Sequence, residues 1–173
     1  LRLLYARIGR TYSPVSGKEV KHQTPDDVVN FLNSLPSGTR VILTAPGTIP
    51  ANISISDYFS FLVKQGFNRI EKDGDLLRID EAGADKKFSN DQKIDIVIDR
   101  LVINNDPDNI SRAADSAQTA FQTGKGYCQV IIPHEDKMVR ENFSTKFEED
   151  GIEFEQPSEY LFSFNNPIGA CPV

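Results

Sequence analysis

The side chains able to carry acid–base or nucleophilic chemistry are few. His22 and His134 are the only histidines, and Cys128 and Cys171 the only cysteines. Both histidines lie beside loops without a neighbouring cysteine or a serine partner, which nucleophilic or metal chemistry needs within hydrogen-bond reach. Cys128 sits in a strand pattern between Tyr127 and Val130 and reads as a small buried hydrophobe. Cys171 lies in Gly169-Ala170-Cys171-Pro172-Val173, so the rest of a Cys-x-x-Cys knuckle would fall beyond Val173. The run Glu148-Glu149-Asp150, followed by Glu153 and Glu155, lacks calcium-loop spacing and reads as a solvated acidic turn. Gly124-Lys125-Gly126 lies between a helix and a strand, the wrong order for a phosphate loop, and reads as a helix stop. No catalytic residue, no metal-ligating set and no cofactor site emerges.

Arginine among strands is the more informative signal, because it serves either as a salt-bridge anchor or as an interface hot spot. Arg69, Arg78 and Arg100 are so placed. Simple alternation puts Arg100 on the same side as Ile94, Ile96 and Ile98, where it needs a buried carboxylate or a partner surface. The same alternation sets Asp95 and Asp99 on one strand face, a position commonly used for cross-strand pairing to Lys or Arg.

The elements that must position these residues are legible in outline. With 173 residues, 39% of them hydrophobic, and a net charge of −6, the chain reads as one globular unit rather than a fibre or a disordered tail. The negative balance argues against a basic nucleic-acid grip over the whole surface, though not against a local patch. Apolar runs are far shorter than the roughly 20 residues of a membrane span, and the paucity of cysteine points to a reducing, cytoplasmic setting. The start has no initiating Met and resembles no signal peptide, as if cut from inside a longer protein.

Leu1, Leu4, Tyr5 and Ile8 have helical spacing, stopped by Gly9. Thr24-Pro25 opens a helix carrying Val28, Phe31, Leu32 and Leu35, and Arg40 to Ala45 is a strand followed by a loop from Pro46 to Asn52. Ser54 or Ser56 caps a helix that ends at Gly66. Residues 67–80 read as a hairpin turning at Asp73-Gly74, and 82–92 as a polar loop. Lys93 to Ile103 is the strongest strand and is expected to be central. Asp106-Pro107 starts a helix with Ala113, Ala117 and Phe121 on its buried face, and Tyr127 to Pro133 is a strand. The tail alternates Phe143, Thr145, Phe147 and later Ile152, Phe154. The predicted class is α+β, a mainly antiparallel sheet built near Arg40, Phe67, Asp75, Lys93 and Tyr127 and covered by three amphipathic helices.

Both ends of the chain are specific. Residues 1–9, Leu-Arg-Leu-Leu-Tyr-Ala-Arg-Ile-Gly, and 161–172, Leu-Phe-Ser-Phe-Asn-Asn-Pro-Ile-Gly-Ala-Cys-Pro, resemble the UvrA family of damage-recognition ATPases of bacterial nucleotide excision repair. Gln23-Thr24, Ala45-Pro46, Gly66-Phe67-Asn68-Arg69 and Ile98-Asp99-Arg100-Leu101-Val102 agree with that family in order, so the resemblance covers essentially the whole chain. It implies the UvrB-binding insertion of the first ATPase half, spanning residues 21–142, with 1–20 and 143–173 as flanking pieces of the signature region. UvrB is then the partner, contacted through Arg69 and Arg100, while the UvrA dimer, damaged DNA, ATP and Mg belong to the parent protein.

The departures from the family are informative as well. Family members carry Cys-Pro-x-Cys-Gly where this chain has Ser13-Pro14-Val15-Ser16-Gly17, and Glu148-Glu149-Asp150-Gly151 stands in place of the first half of a second zinc module. Hydroxyls do not replace thiolates as zinc ligands, so the first knuckle is expected to be metal-free and Cys171 to lack its partners. A rival reading is a DNA-contacting module tracking phosphates through Arg40, Lys64, Lys72, Lys86, Lys87 and Lys125. An independent hydrolase needs a nucleophile and base that the sequence does not supply.

Overall fold

A computed structural model describes residues 2–82, 88–104, 106–134 and 138–158. The chain divides into two units, one formed by residues 1–22 with 145–173 and the other by Gln23–Ser144. The first opens with α1 (Arg2–Ile8), then a hairpin of β1 (Thr11–Tyr12) and β2 (Glu19–Val20). The larger unit follows as α2 (Pro25–Ser34), β3 (Arg40–Thr48), α3 (Ile55–Lys64), β4 (Arg69–Lys72), β5 (Asp75–Arg78), a single turn α4 (Ile79–Ala82), β6 (Lys93–Val102), α5 (Pro107–Thr123), β7 (Tyr127–Pro133) and β8 (Met138–Ser144). The chain returns to the first unit with β9 (Glu148–Glu149) and β10 (Ile152–Glu153). No helix of the described residues is long and apolar enough to cross a membrane.

Local chemistry sets these boundaries. Asp27 accepts the Thr24 amide at 2.8 Å at the start of α2, and the Ser54 hydroxyl accepts the Asp57 amide at 3.1 Å at the start of α3. Asp106 caps α5, with Pro107 in the first turn where its missing donor is harmless. Asp73 and Gly74 both take positive φ, 53° and 100°, the pair of values a two-residue hairpin turn demands. Lys125 and Gly126, at φ 53° and 99°, make the reversal between α5 and β7.

The sheet is antiparallel throughout, in the order β5-β4-β6-β3-β7-β8. The long helices all lie on one face. Val28, Leu32, Ala117 and Phe121 of α2 and α5 pack on Val41, Leu43, Leu101 and Val130, while Phe59 and Leu62 of α3 pack on Ile70, Ile94 and Ile96. The fully buried Ala117 and Ala120 allow α5 to approach the strands closely.

The opposite face holds a small apolar cluster of Ile42, Val97 and Ile131, with Met138 beside it. Glu71 there is only 2% exposed, and Arg140 reaches it with both Nη atoms, at 2.6 and 3.0 Å. The same guanidinium bonds Asp95 at 3.1 Å and Gln129 at 2.8 Å. Arg140 is on β8 and Glu71 on β4; in a flat sheet the steps between those strands would span roughly 19 Å at about 4.8 Å each. Two side chains cannot cover that gap, so the sheet curls toward this face and Arg140 ties its two flanks together.

Several expectations are corrected. β3 runs on to Thr48 through Pro46, which was expected to open a loop; β7 pairs only with Ile42–Thr44, and proline is tolerated where one flank is unpaired. The hairpin's second strand ends at Arg78, because the chain coils at once into α4. The sheet gains β8, an edge strand absent from the predicted set, and the expected alternation through Thr145 and Phe147 stops at Ser144. The loop after α4 is not wholly polar, since Phe88 is buried edge-on against Phe59. Of the end segments, Leu161–Val173 lies outside the described residues, whereas Leu4 and Ile8 of α1 are exposed.

The charges on the curled face give a pH dependence. Burial, then the negative charge of Glu71, pushes Asp95 up to about 6. Burial would raise Glu71 too, but the bonds from Arg140 and the Gly74 amide and the Arg140 charge outweigh it and hold that carboxyl below its ordinary value. A raised carboxylate pKa means the folded state holds a proton that the unfolded state has released. The larger unit should therefore gain stability as pH falls through about 6, then lose it once Glu71 takes a proton below the ordinary carboxylate range. Asp95→Asn is expected to melt higher than the wild type at pH 8, by about 2–5 °C, and to flatten the rise on going to pH 5. Identical melting of the two proteins at pH 8 and pH 5 would contradict this.

Candidate functional site

β6 owes its place to the alternation of Ile94 and Ile96, both buried against α3. That alternation breaks at Ile98. Val97 pairs with Thr44 and Asp99 with Leu43, so Ile98 has no partner of its own on β3 and forms a bulge. The faces exchange beyond it. Asp99 and Leu101 turn to the helices, and Arg100, opposite Ile42, turns to the open face. This overturns the expected grouping of Arg100 with Ile94, Ile96 and Ile98. It also separates Asp95 from Asp99: Asp95 meets Arg140 on the open face, while Asp99 accepts from Arg112 at 2.6 and 2.8 Å and from Ser116 at 2.9 Å on α5. Burial raises the Asp99 carboxyl, but the bonds from Arg112 and Ser116 prevail and hold it below its usual value.

Arg69 reaches the same open face from β4, opposite Arg78 on β5. Two arginines directly opposed repel, and Arg78 is neutralised locally by Asp80 at 2.7 Å and Glu81 at 3.7 Å. Arg40 is the third on this face, paired across the ladder with Val102. Arg40, Arg69 and Arg100 line one groove of about 750 Å³ together with Leu76, Val97 and Val102. Leu76 is 38% and Val102 51% exposed.

The larger unit carries Arg40, Arg69, Arg78, Arg100, Arg112 and Arg140. Arg78, Arg112 and Arg140 hold carboxylates. Arg40, Arg69 and Arg100 have no ion-pair partner among the described residues, and they share their groove with Arg112 and Asp99, which are paired with each other.

The remaining chemistry-bearing residues are structural. His22 donates from Nδ1 to the Thr145 carbonyl at 2.7 Å, meets Gln156 through Nε2 at 2.6 Å and packs on the Phe147 ring. His134 is exposed at the end of β7. Cys128 is buried, which pushes its thiol up to about 12 and keeps it unreactive at neutral pH. Cys171 lies outside the described residues. Among the described residues no group of His, Cys, Asp and Glu is arranged to hold a metal ion. The basic residues of the DNA reading do not form one track. Arg40 is on the open face, whereas Lys64 ends α3 and Lys125 the turn after α5; Lys72 sits over the Phe88 ring at 4.6 Å, and Lys86 and Lys87 lie outside the described residues.

Within the smaller unit, Ser13 and Ser16 both donate to one carboxylate oxygen of Asp150, Ser16 at 2.5 Å. Asp150 occupies the tight turn between β9 and β10, with φ 54° followed by Gly151 at 76°. The two segments where the resemblance implied zinc modules thus meet, but their donor set is two hydroxyls spending their protons on a carboxylate. That set does not fit a thiolate zinc centre. The hydroxyl bonds hold the Asp150 carboxyl below its ordinary value.

Sequence reasoning singled out Arg69 and Arg100 but assigned Arg40 to another role and missed Glu71 and Arg140. No local signal marks the latter pair, which are far apart in sequence and come together only through the curl. The described residues thus present an open sheet face with three arginines that have no ion-pair partner among them.

The comparisons with known proteins agree in kind. The family model of the UvrA interaction domain matches residues 23–134, and the chain belongs to that family. It is 37% identical over 99% of its length to UvrABC system protein A of Methanothermobacter thermautotrophicus, 35% over 100% to that of Thermus thermophilus and 34% over 99% to that of Clostridium tetani. The chain spans 18% of the length of each of these relatives.

Asp150 ties the two hairpins of the smaller unit through one carboxylate oxygen. Asp150→Gly, or Ser13→Ala with Ser16→Ala, is therefore expected to speed exchange of the Gly17 and Lys18 amides, and a chelator to leave exchange in the unaltered protein unchanged. Faster exchange on adding chelator would show a metal where the hydroxyl clasp is placed.

Proposed function

We propose that this chain is the UvrB-recruiting interaction domain of a UvrA subunit in nucleotide excision repair. Residues 21–142 form the recruiting domain, and 1–20 with 143–173 belong to the signature region of the parent ATPase. ATP and Mg are handled by the parent, and this segment supplies no nucleotide site. The observation that carries the reading is the placement of Arg69 and Arg100 on one open sheet face, without carboxylate partners among the described residues, in a domain whose neighbouring arginines are paired.

An arginine held in a folded face without a counter-ion is ready for a carboxylate on another molecule, and little ordering entropy remains to be lost on binding. Charge of this kind mainly sets encounter rate and specificity, while the desolvated contacts at the centre set the lifetime of the complex. The DNA-contacting alternative is disfavoured by the net charge of −6 and by the scatter of the basic residues over both faces.

The test is calorimetric titration of the full-length parent protein with UvrB. Arg69→Ala with Arg100→Ala is expected to weaken binding by about 2–4 kcal/mol while leaving the melting temperature unchanged. Unaltered affinity in a folded double variant would contradict the reading.

A further inference from the structure

We infer that Arg40 is a third determinant of this interface, and that the groove takes an extended acidic segment of the partner, with carboxylates two residues apart and an aliphatic side chain beside them. The inference rests on the UvrB reading and deepens it. Arg40 pairs across the ladder with Val102, and Ile42 with Arg100, so the four form a square with its charges on one diagonal and its aliphatic side chains on the other. Diagonal neighbours on adjacent antiparallel strands stand about 7–8 Å apart, close to the roughly 6.8 Å between residues i and i+2 of an extended chain. Two same-side carboxylates of a strand-like segment therefore match Arg40 and Arg100 in spacing.

Arg69 enters the same groove from β4 and is placed to take a third acidic group or the carboxylate of a longer side chain. The aliphatic requirement comes from Leu76 and Val102. Both line the groove and stay exposed at 38% and 51%, and a purely ionic partner would leave them in water. Asp99 and Arg112 also line the groove, but Asp99 accepts from Arg112 and Ser116, so Arg40, Arg69 and Arg100 repel one another without an ion-pair partner among the described residues. An acidic segment removes that repulsion on binding. A phosphate backbone would also meet the positive charge, but it brings no aliphatic side chain to Leu76 and Val102.

The experiment compares UvrB affinity of the full-length parent protein and its Arg40→Ala, Arg40→Lys, Leu76→Ser and Arg69→Ala/Arg100→Ala variants at two salt concentrations, with duplex DNA as a parallel titrant. Arg40→Ala is expected to lose affinity for UvrB about tenfold and to reduce the salt dependence. Arg40→Lys should recover only part of the loss, because a point charge does not reproduce the planar fork. Leu76→Ser should weaken binding without changing the salt dependence. Arg40→Gln replaces Arg40→Ala if the latter fails to fold. Normal UvrB binding by Arg40→Ala beside weakened binding by Arg69→Ala/Arg100→Ala would overturn the inference and leave the UvrB reading standing. Normal binding by every variant would overturn both, and a loss confined to DNA binding would move Arg40 to a nucleic-acid contact.

Discussion

The extra residue in β6 decides what each face of the domain can do. Because Ile98 has no partner on β3, Asp99 and Arg100 fall on faces opposite to those a regular strand would give them. Asp99 turns inward and receives Arg112 and Ser116, which anchors α5 to the sheet. Arg100 turns outward beside Ile42. In an unbulged strand Arg100 would lie beneath the helices, where the described side chains around Leu101 and Ala117 are apolar. Asp99 would move to the open face and leave Arg112 and Ser116 without the carboxylate they bond. Burying the arginine without a partner would cost several kcal/mol, so the bulge is a condition of the fold.

The second constraint is the curl. The face away from the helices has only the small cluster of Ile42, Val97 and Ile131 to pack it, and Arg140 adds a tie by bonding Glu71, Asp95 and Gln129 at once. The arrangement is not optimal for stability: Glu71 wins the contest for positive charge, and Asp95 remains ionised at neutral pH against the preference of its surroundings. What it provides is a fixed curvature across β4, β6 and β3, the strands that carry Arg69, Arg100 and Arg40. A face held in this way presents its guanidinium groups without first having to order the backbone beneath them.

Most of this architecture was legible where a residue type has one dominant local use. Thr24-Pro25, Ser54 and Asp106-Pro107 mark helix starts, Asp73-Gly74 marks a hairpin, and the Tyr127–Pro133 strand is bounded by Gly126 and His134. The bulge was hidden because Ile94, Ile96 and Ile98 continue an unbroken alternation, and only the partner strand reveals that Ile98 is surplus. β8 was hidden because an edge strand with Arg140, Glu141 and Asn142 has little apolar signal. Arg69 and Arg100 stood out as arginines among strands, but the side on which Arg100 lies, and its company with Arg40, depend on pairing between distant segments. The clasp of Ser13, Ser16 and Asp150 was legible only as an absence of thiols; that the same oxygens find one another is a tertiary fact.

The central claim is that the open face, through its unpaired arginines, is where the partner binds. Its most direct test follows the side-chain Nε–H signals of the arginines by NMR as UvrB is added. The account predicts that Arg40, Arg69 and Arg100 shift or broaden together while Arg140, already held by carboxylates, stays in place. Shifts confined to the amides of α2 and α5, with the open-face arginines unmoved, would put the partner on the helical side and contradict it.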